Sequence, residues 1–205
     1  TPCGTLFPYT TLFRSVMVLG DGMLGQMKEP VIFPEQLTSI PEKEWALKGK
    51  GTGDSRYMAS LILDTLEMER HNWKLVRKYR EIEKHEVRYE SYMMDDAEIV
   101  AVAYGTTARI AKGAIKRVRK DGIKAGLLRP VTLWPFPSHI ISEVSKKVRS
   151  FVVFEMSTGQ MVDDVKMALE GRSRVYFHGR PGGIIPTPAE FARILYREYL
   201  LMNKG

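Results

Sequence analysis

Glu98-Ile-Val-Ala-Val-Ala-Tyr104, running through Gly105-Thr-Thr107 into an amphipathic helix that ends near Lys120, is the stretch that decides the fold. The same unit recurs twice. Lys124-Ala-Gly-Leu-Leu128 passes through Leu133-Trp-Pro-Phe-Pro137 into a helix ending near Lys147. Ser150-Phe-Val-Val-Phe-Glu-Met156 passes through Ser157-Thr-Gly-Gln160 into a third. Strands that are apolar throughout, rather than at alternate positions, are buried on both faces. Their alternation with helices predicts a three-layer α/β/α domain with a mostly parallel sheet. Arg174-Val-Tyr-Phe-His178 reads as a fourth strand and Gly179-Arg-Pro-Gly-Gly183 as a tight loop. Thr187-Pro188-Ala189-Glu190 reads as a capping box with proline at the first helical position, opening a C-terminal helix to about Met202.

Upstream the pattern is less regular. Val16-Met-Val-Leu19 reads as a short strand ending in Gly20-Asp21-Gly22, and Met23 to Glu29 as a helical turn stopped by Pro30. Residues 37–60, with Pro41 and Gly49-Lys-Gly-Thr-Gly53, read as a linker. Residues 61–93 read as one charged connecting helix with a stripe of Leu75, Tyr79 and Ile82, flanked by Trp73 and Val76. Residues 1–15 carry no period that continues into the rest of the chain, and are expected to be a non-native leader. The complete domain is expected over 94–205.

With 205 residues and 44% hydrophobic content, the chain can bury a core. No apolar run approaches the ~20 residues of a membrane helix, so no membrane partner is expected. The only cysteine, Cys3, excludes an intrachain disulfide and a cysteine-ligated cluster, and a reducing cytoplasm is the expected compartment. The net charge of +7 raises nucleic acid as a partner. Lys112, Lys116 and Arg119/Lys120 fall on one helix face opposite Ala111, Ala114, Ile115 and Val118, which reads as a solvated face. No aromatic interleaving accompanies it, so no nucleic acid is expected.

Gly105, Thr106 and Thr107, and Ser157, Thr158 and Gly159, are the anion-site candidates. Both turns lie between a strand and a helix, where free N–H groups can receive phosphate or carboxylate. Capping explains them without a ligand, Ser157 with Gln160 being a second capping box. Glu155, ending a buried strand, is a candidate base, cation partner or structural acceptor. Asp163 and Asp164 suit a first helical turn. His139 and His178 lack a neighbouring nucleophile or metal-ligand spacing, and no catalytic or metal residue is assigned. Gly20-Asp21-Gly22 opens the metal–diphosphate motif of thiamine enzymes. The first asparagine after Asp21 is Asn72, too far on to complete it.

Taken together, Leu19–Met27, Asp96–Arg109, Gly126–Pro137, Glu155–Val165 and Gly179–Pro188 resemble the α subunit of 2-oxoacid:ferredoxin oxidoreductases, nearest the 3-methyl-2-oxobutanoate (2-oxoisovalerate) type. The resemblance implies a transketolase C-terminal-domain-like fold over 94–205. It implies that 16–36 is the tail of a truncated pyrimidine-binding domain, whose catalytic glutamate lies upstream in the family. It also implies oxidative decarboxylation of a 2-oxoacid, with coenzyme A and ferredoxin as co-substrates. Thiamine diphosphate, Mg²⁺ and iron–sulfur clusters would sit on other parts of the complex, with none bound by this chain alone. A β subunit and a small ferredoxin-like subunit would be its partners, and this part would act as scaffold and subunit interface. The alternative is a free-standing α/β module that binds an anion or nucleotide.

Overall fold

The computed structural model describes residues 17–33, 35 and 61–203. The expected leader 1–15, Val16 and the linker 37–60 lie outside the described residues. The chain forms two compact units, one up to Arg80 and one from Glu81 onward.

In the first unit, α1 (Gly22–Gln26) is capped by Asp21, whose Oδ1 accepts the Leu24 N–H at 2.7 Å. The expected strand does not form at Met17, Val18 and Leu19. These residues are non-regular and highly exposed, with no ladder partner among the described residues. Helix α2 (Thr65–His85), whose last turn from Glu81 belongs to the second unit, is shorter than its expected span and buries no residue; Tyr79 of the expected stripe is exposed.

The second unit is built on a five-stranded sheet ordered β1-β3-β2-β4-β5. Its strands are β1 (Tyr89–Tyr92), β2 (Ile99–Val102), β3 (Ala125–Pro130), β4 (Ser150–Glu155) and β5 (Arg174–Gly179). β2 to β5 run parallel, and β1 pairs antiparallel to β3. The expected mostly parallel three-layer architecture is therefore the one observed.

Strand β2 is the central rail. Val102 pairs with Leu128 on one side and Val153 on the other. Parallel neighbours cannot be joined by a hairpin, so β2, β3 and β4 are each followed by a crossover helix. Helices α3 (Gly105–Lys120) and α6 (Pro188–Asn203) cover one face, packing on Ile99, Ala101, Val152 and Phe154. Helices α4 (Ser138–Ser145) and α5 (Met161–Leu169) cover the other, on Val100, Val102, Phe151 and Val153. Each Val, Ile and Phe side chain so buried contributes ~1.5–3 kcal/mol. On the first face Phe154 stacks on Phe191 with ring centroids 3.8 Å apart.

Edge strand β1 corrects the expectation of unbroken helix to residue 93. Tyr89-Glu-Ser-Tyr92 has a charged residue within a short aromatic run and little to distinguish it from the charged helix before it. Tertiary pairing decides it, with Glu90 opposite Arg129. That pairing also corrects the solvated basic face. Lys112 lies 3.6 Å from Glu90 and 5.7 Å from the centroid of the Tyr92 ring. Arg119 donates to Asp96 Oδ1, the Met93 carbonyl and the Ala125 carbonyl, each at 2.7 Å. Lys116, Arg117 and Lys120 remain exposed.

Gly126 of β3 lies under the turn that comes after β1. A Cβ there would stand 2.6 Å from Met94 Sδ and 2.9 Å from both Ala97 Cβ and the Met93 carbonyl. Gly126→Ala is expected to destabilise the domain by ~1–3 kcal/mol, the usual cost of overpacking. Arg119→Ala is expected to cost more than Lys116→Ala, which should stay within ~0.5 kcal/mol. Urea unfolding of the three variants checks both.

Candidate functional site

Helix α3 follows β2 onto one face, whereas α5 follows β4 onto the other. Adjacent strands whose helices leave to opposite sides create a crevice at their carboxyl ends, where open α/β sheets hold ligands. The turns Gly105–Thr107 and Ser157–Gly159 flank that crevice, because Val102 and Val153 are ladder partners. The fold thus brings the two candidate turns, distant in sequence, to neighbouring strand ends.

The second turn already holds an anion, and the chain supplies it. Glu155 is 2% exposed. Its carboxylate accepts the N–H groups of Gln160 (3.2 Å), Met161 (3.1 Å) and Val162 (3.0 Å), and the Ser157 hydroxyl at 3.0 Å. Four donors converge on two oxygens at the positive end of α5. Of the three roles open to Glu155, the geometry selects the structural acceptor. The expected capping box of Ser157 with Gln160 is corrected. Gln160 is itself the N-cap and makes no side-chain cap, while the Ser157 hydroxyl accepts the Gly159 N–H at 3.1 Å. Local spacing points to Ser157; the buried carboxylate ending β4 reaches the amides instead.

The turn is held against the neighbouring strand. A Cβ on Gly179 would collide with the Ser157 carbonyl and lie 2.6 Å from the Phe177 ring. Gly159 has φ +109°, a conformation that glycine adopts without a Cβ penalty.

The first turn offers little to a ligand through its side chains. Thr106 and Thr107 are buried, and the Thr107 hydroxyl donates to the Tyr104 carbonyl at 2.7 Å. Gly105 takes φ +55°, and the α3 N-cap, Tyr104, makes no side-chain cap. The crevice carries negative charge. Burial, then the Glu155 charge, raise the Tyr104 hydroxyl above its ordinary pKa. Burial, then Asp163 and Glu155, raise the Asp164 carboxyl.

A second polar cluster closes β5. Glu190 takes Arg180 Nε at 2.8 Å on Oε1 and Arg180 Nη2 at 3.1 Å on Oε2; His178 Nε2 lies 2.9 Å from Oε1. The Arg180 hydrogen bonds are the main cause that lowers Glu190 from the ordinary 4.5 to about 2. Half of the expected capping box forms, with Thr187 Oγ1 accepting the Glu190 N–H at 3.2 Å. The Glu190 carboxylate faces His178 and Arg180 instead. Sequence alone gives these two no role, and the Thr-Pro-Ala-Glu spacing is the one signal that points at Glu190. His139 joins no such cluster.

The described residues contain no group of three or more His, Cys, Asp or Glu suited to a metal ion. Asp21, the residue nearest to a diphosphate–metal motif, caps α1.

Residues 97–191 match the family model described as pyruvate:ferredoxin oxidoreductase core domain II. The chain is 47% identical over 169 residues to the ketoisovalerate oxidoreductase subunit VorB of Methanothermobacter marburgensis, covering 82% of this chain and 48% of that protein. It belongs to the 2-oxoacid:ferredoxin oxidoreductase subunits. The 2-oxoglutarate synthase subunit KorA of Archaeoglobus fulgidus is 33% identical over 160 residues, 74% of this chain and 44% of that protein. The chain thus spans about half the length of the curated relatives it matches. A solved 2-oxoglutarate:ferredoxin oxidoreductase from Magnetococcus marinus, with 2-oxoglutarate, coenzyme A and succinyl-CoA bound, shares the fold. Its TM-score is 0.59 at 16% identity, covering 72% of this chain and 27% of that one.

Glu155 and Glu190 lead to two expected outcomes. Glu155→Ala strips three amides and a hydroxyl of their acceptor and is expected to cost ~2–4 kcal/mol in urea unfolding, with Glu155→Gln less harmful. Glu190 has a depressed folded pKa, so its contribution is present above about pH 4.5 and lost as pH falls toward about 2. Glu190→Gln should therefore melt below the parent at pH 7, with the gap closing across that window in thermal melts.

Proposed function

We propose that this chain supplies the second core domain of an α subunit in a thiamine-diphosphate-dependent 2-oxoacid:ferredoxin oxidoreductase, and that this domain serves as scaffold and subunit interface. The observation that carries the reading is Glu155. The N-terminus of α5, at the place where such a fold receives an anionic ligand, is occupied by the chain's own carboxylate. That argues against the alternative of a free-standing anion- or nucleotide-binding module. It also leaves both candidate turns as structural turns, with no catalytic, cofactor or metal residue assigned in this chain.

In this reading the complex decarboxylates a 2-oxoacid, passes the acyl group to coenzyme A and the electrons to ferredoxin. Thiamine diphosphate supplies the carbanion chemistry when bound. The described residues do not fit its diphosphate–Mg²⁺ site, and one cysteine cannot ligate an iron–sulfur cluster. Those groups belong to other parts of the complex, whose β subunit and small ferredoxin-like subunit are the proposed partners. A cytoplasmic location fits the reading, and no described helix is long and apolar enough to cross a membrane. Neither nucleic acid nor a lipid surface is a proposed partner.

A branched-chain 2-oxoacid is the proposed substrate, with 2-oxoglutarate second. Identity to the ketoisovalerate enzyme subunit reaches 47%, against 33% for the 2-oxoglutarate synthase subunit. The proposed segments are 16–36 as the tail of a pyrimidine-binding domain, 37–60 as linker, and 94–205 as domain II with strand β1 added to its sheet.

Coexpression of this chain, fused behind a family-type pyrimidine domain, with a family-type β subunit tests the proposal. The assembly is expected to copurify and to reduce a viologen dye in the presence of coenzyme A and 2-oxoisovalerate. The 205-residue chain alone is expected to give no turnover. Turnover by the chain alone, or failure to copurify, would count against the scaffold reading.

A further inference from the structure

The amino ends of β4 and β5, opposite the crevice, hold a feature that the scaffold role does not use. The turns 145–149 and 171–174 border an open surface hollow of about 510 Å³. Its lining includes Lys146, Lys147, Arg149, Arg172 and Arg174, and no carboxylate. Lys146 is engaged by Glu143 at 2.7 Å, and Arg172 by Glu170 at 2.9 Å and the Leu169 carbonyl at 3.1 Å. Lys147, Arg149 and Arg174 have no side-chain partner among the described residues. Helices α4 and α5 end here, each bringing roughly half a negative charge. Those two ends, with Glu143 and Glu170, leave about two positive charges uncompensated.

The cations stand on fixed backbone. Ser150 is the ladder partner of Arg174, and the Arg174 N–H donates to the Arg149 carbonyl at 3.0 Å. The Ser173 hydroxyl donates to the Val148 carbonyl at 2.9 Å. Glu170 and Gly171, at φ +48° and +76°, turn the chain sharply between α5 and β5.

We propose that this basin binds a ligand bearing a diphosphate group, with Arg149 and Arg174 as its forked donors and Lys147 as a point charge. Guanidinium groups match phosphate oxygens two at a time. The volume lies in the ~300–1,000 Å³ range of small-molecule sites, and a hollow lined by cations without a carboxylate suits a compact anion better than a flat protein face.

The test is calorimetric titration of the full chain with inorganic pyrophosphate. Saturable binding is expected, stronger than for inorganic phosphate and weakened at least ~tenfold when both arginine forks are lost in Arg149→Gln/Arg174→Gln. Lys147→Gln should weaken it less. All three side chains are exposed, and circular dichroism confirms that the variants fold. The control pair Lys116→Gln/Lys120→Gln, on α3, should leave binding unchanged. Absence of saturable binding overturns the proposal, as does equal weakening by the control, which would mean diffuse charge attraction. Tighter, variant-sensitive binding of a hexaglutamate peptide than of pyrophosphate overturns it in favour of an acidic protein partner. Because the readout is binding, it stands or falls independently of oxidoreductase activity.

Discussion

The pairing of β2 with both β3 and β4 is the constraint on which the second unit depends. Ile99-Val-Ala-Val102 is fully buried, so its two side-chain rows must be covered from opposite sides. α3 and α6 meet one row, α4 and α5 the other. A one-residue slip in register would exchange the rows and strand both helix pairs on the wrong side chains. The same pairing fixes the crevice, since the helices after β2 and β4 must leave to opposite faces.

Polar accounting then decides the occupant of the crevice. The amides that open α5 need acceptors, and burying them bare would cost ~1–3 kcal/mol each. Glu155 ends β4 at the right depth to serve three of them. Its own burial is made tolerable by those donors, which satisfy both carboxylate oxygens. The arrangement is self-consistent without a ligand, whereas a catalytic base there would have to give up its partners to act.

At the other end of the sheet the balance differs. The turns 145–149 and 171–174 hold more cations than the carboxylates and helix ends around them require, and the sheet register keeps those cations in place. Strand β4 therefore ends in a turn held by a carboxylate and begins beside a hollow lined by cations.

The alternation of apolar strands with amphipathic helices was legible along the chain because double-sided burial leaves no polar position in the strand. β2 to β5 and α3 to α6 follow from it to within a few residues, as does the family likeness from segments such as Gly126–Pro137. Edge strand β1 was not legible: Tyr89–Tyr92 is exposed on alternate residues and acquires its conformation from β3. With it came the partners of Lys112 and Arg119, so a face that periodicity assigns to solvent is partly tied down. The roles of Glu155 and Glu190 also waited on tertiary structure. A carboxylate's partners are amides and guanidiniums five or more positions away, joined only when a turn folds back or a helix crosses a strand. The sequence determined which surfaces had to be buried; packing alone decided which charges would meet.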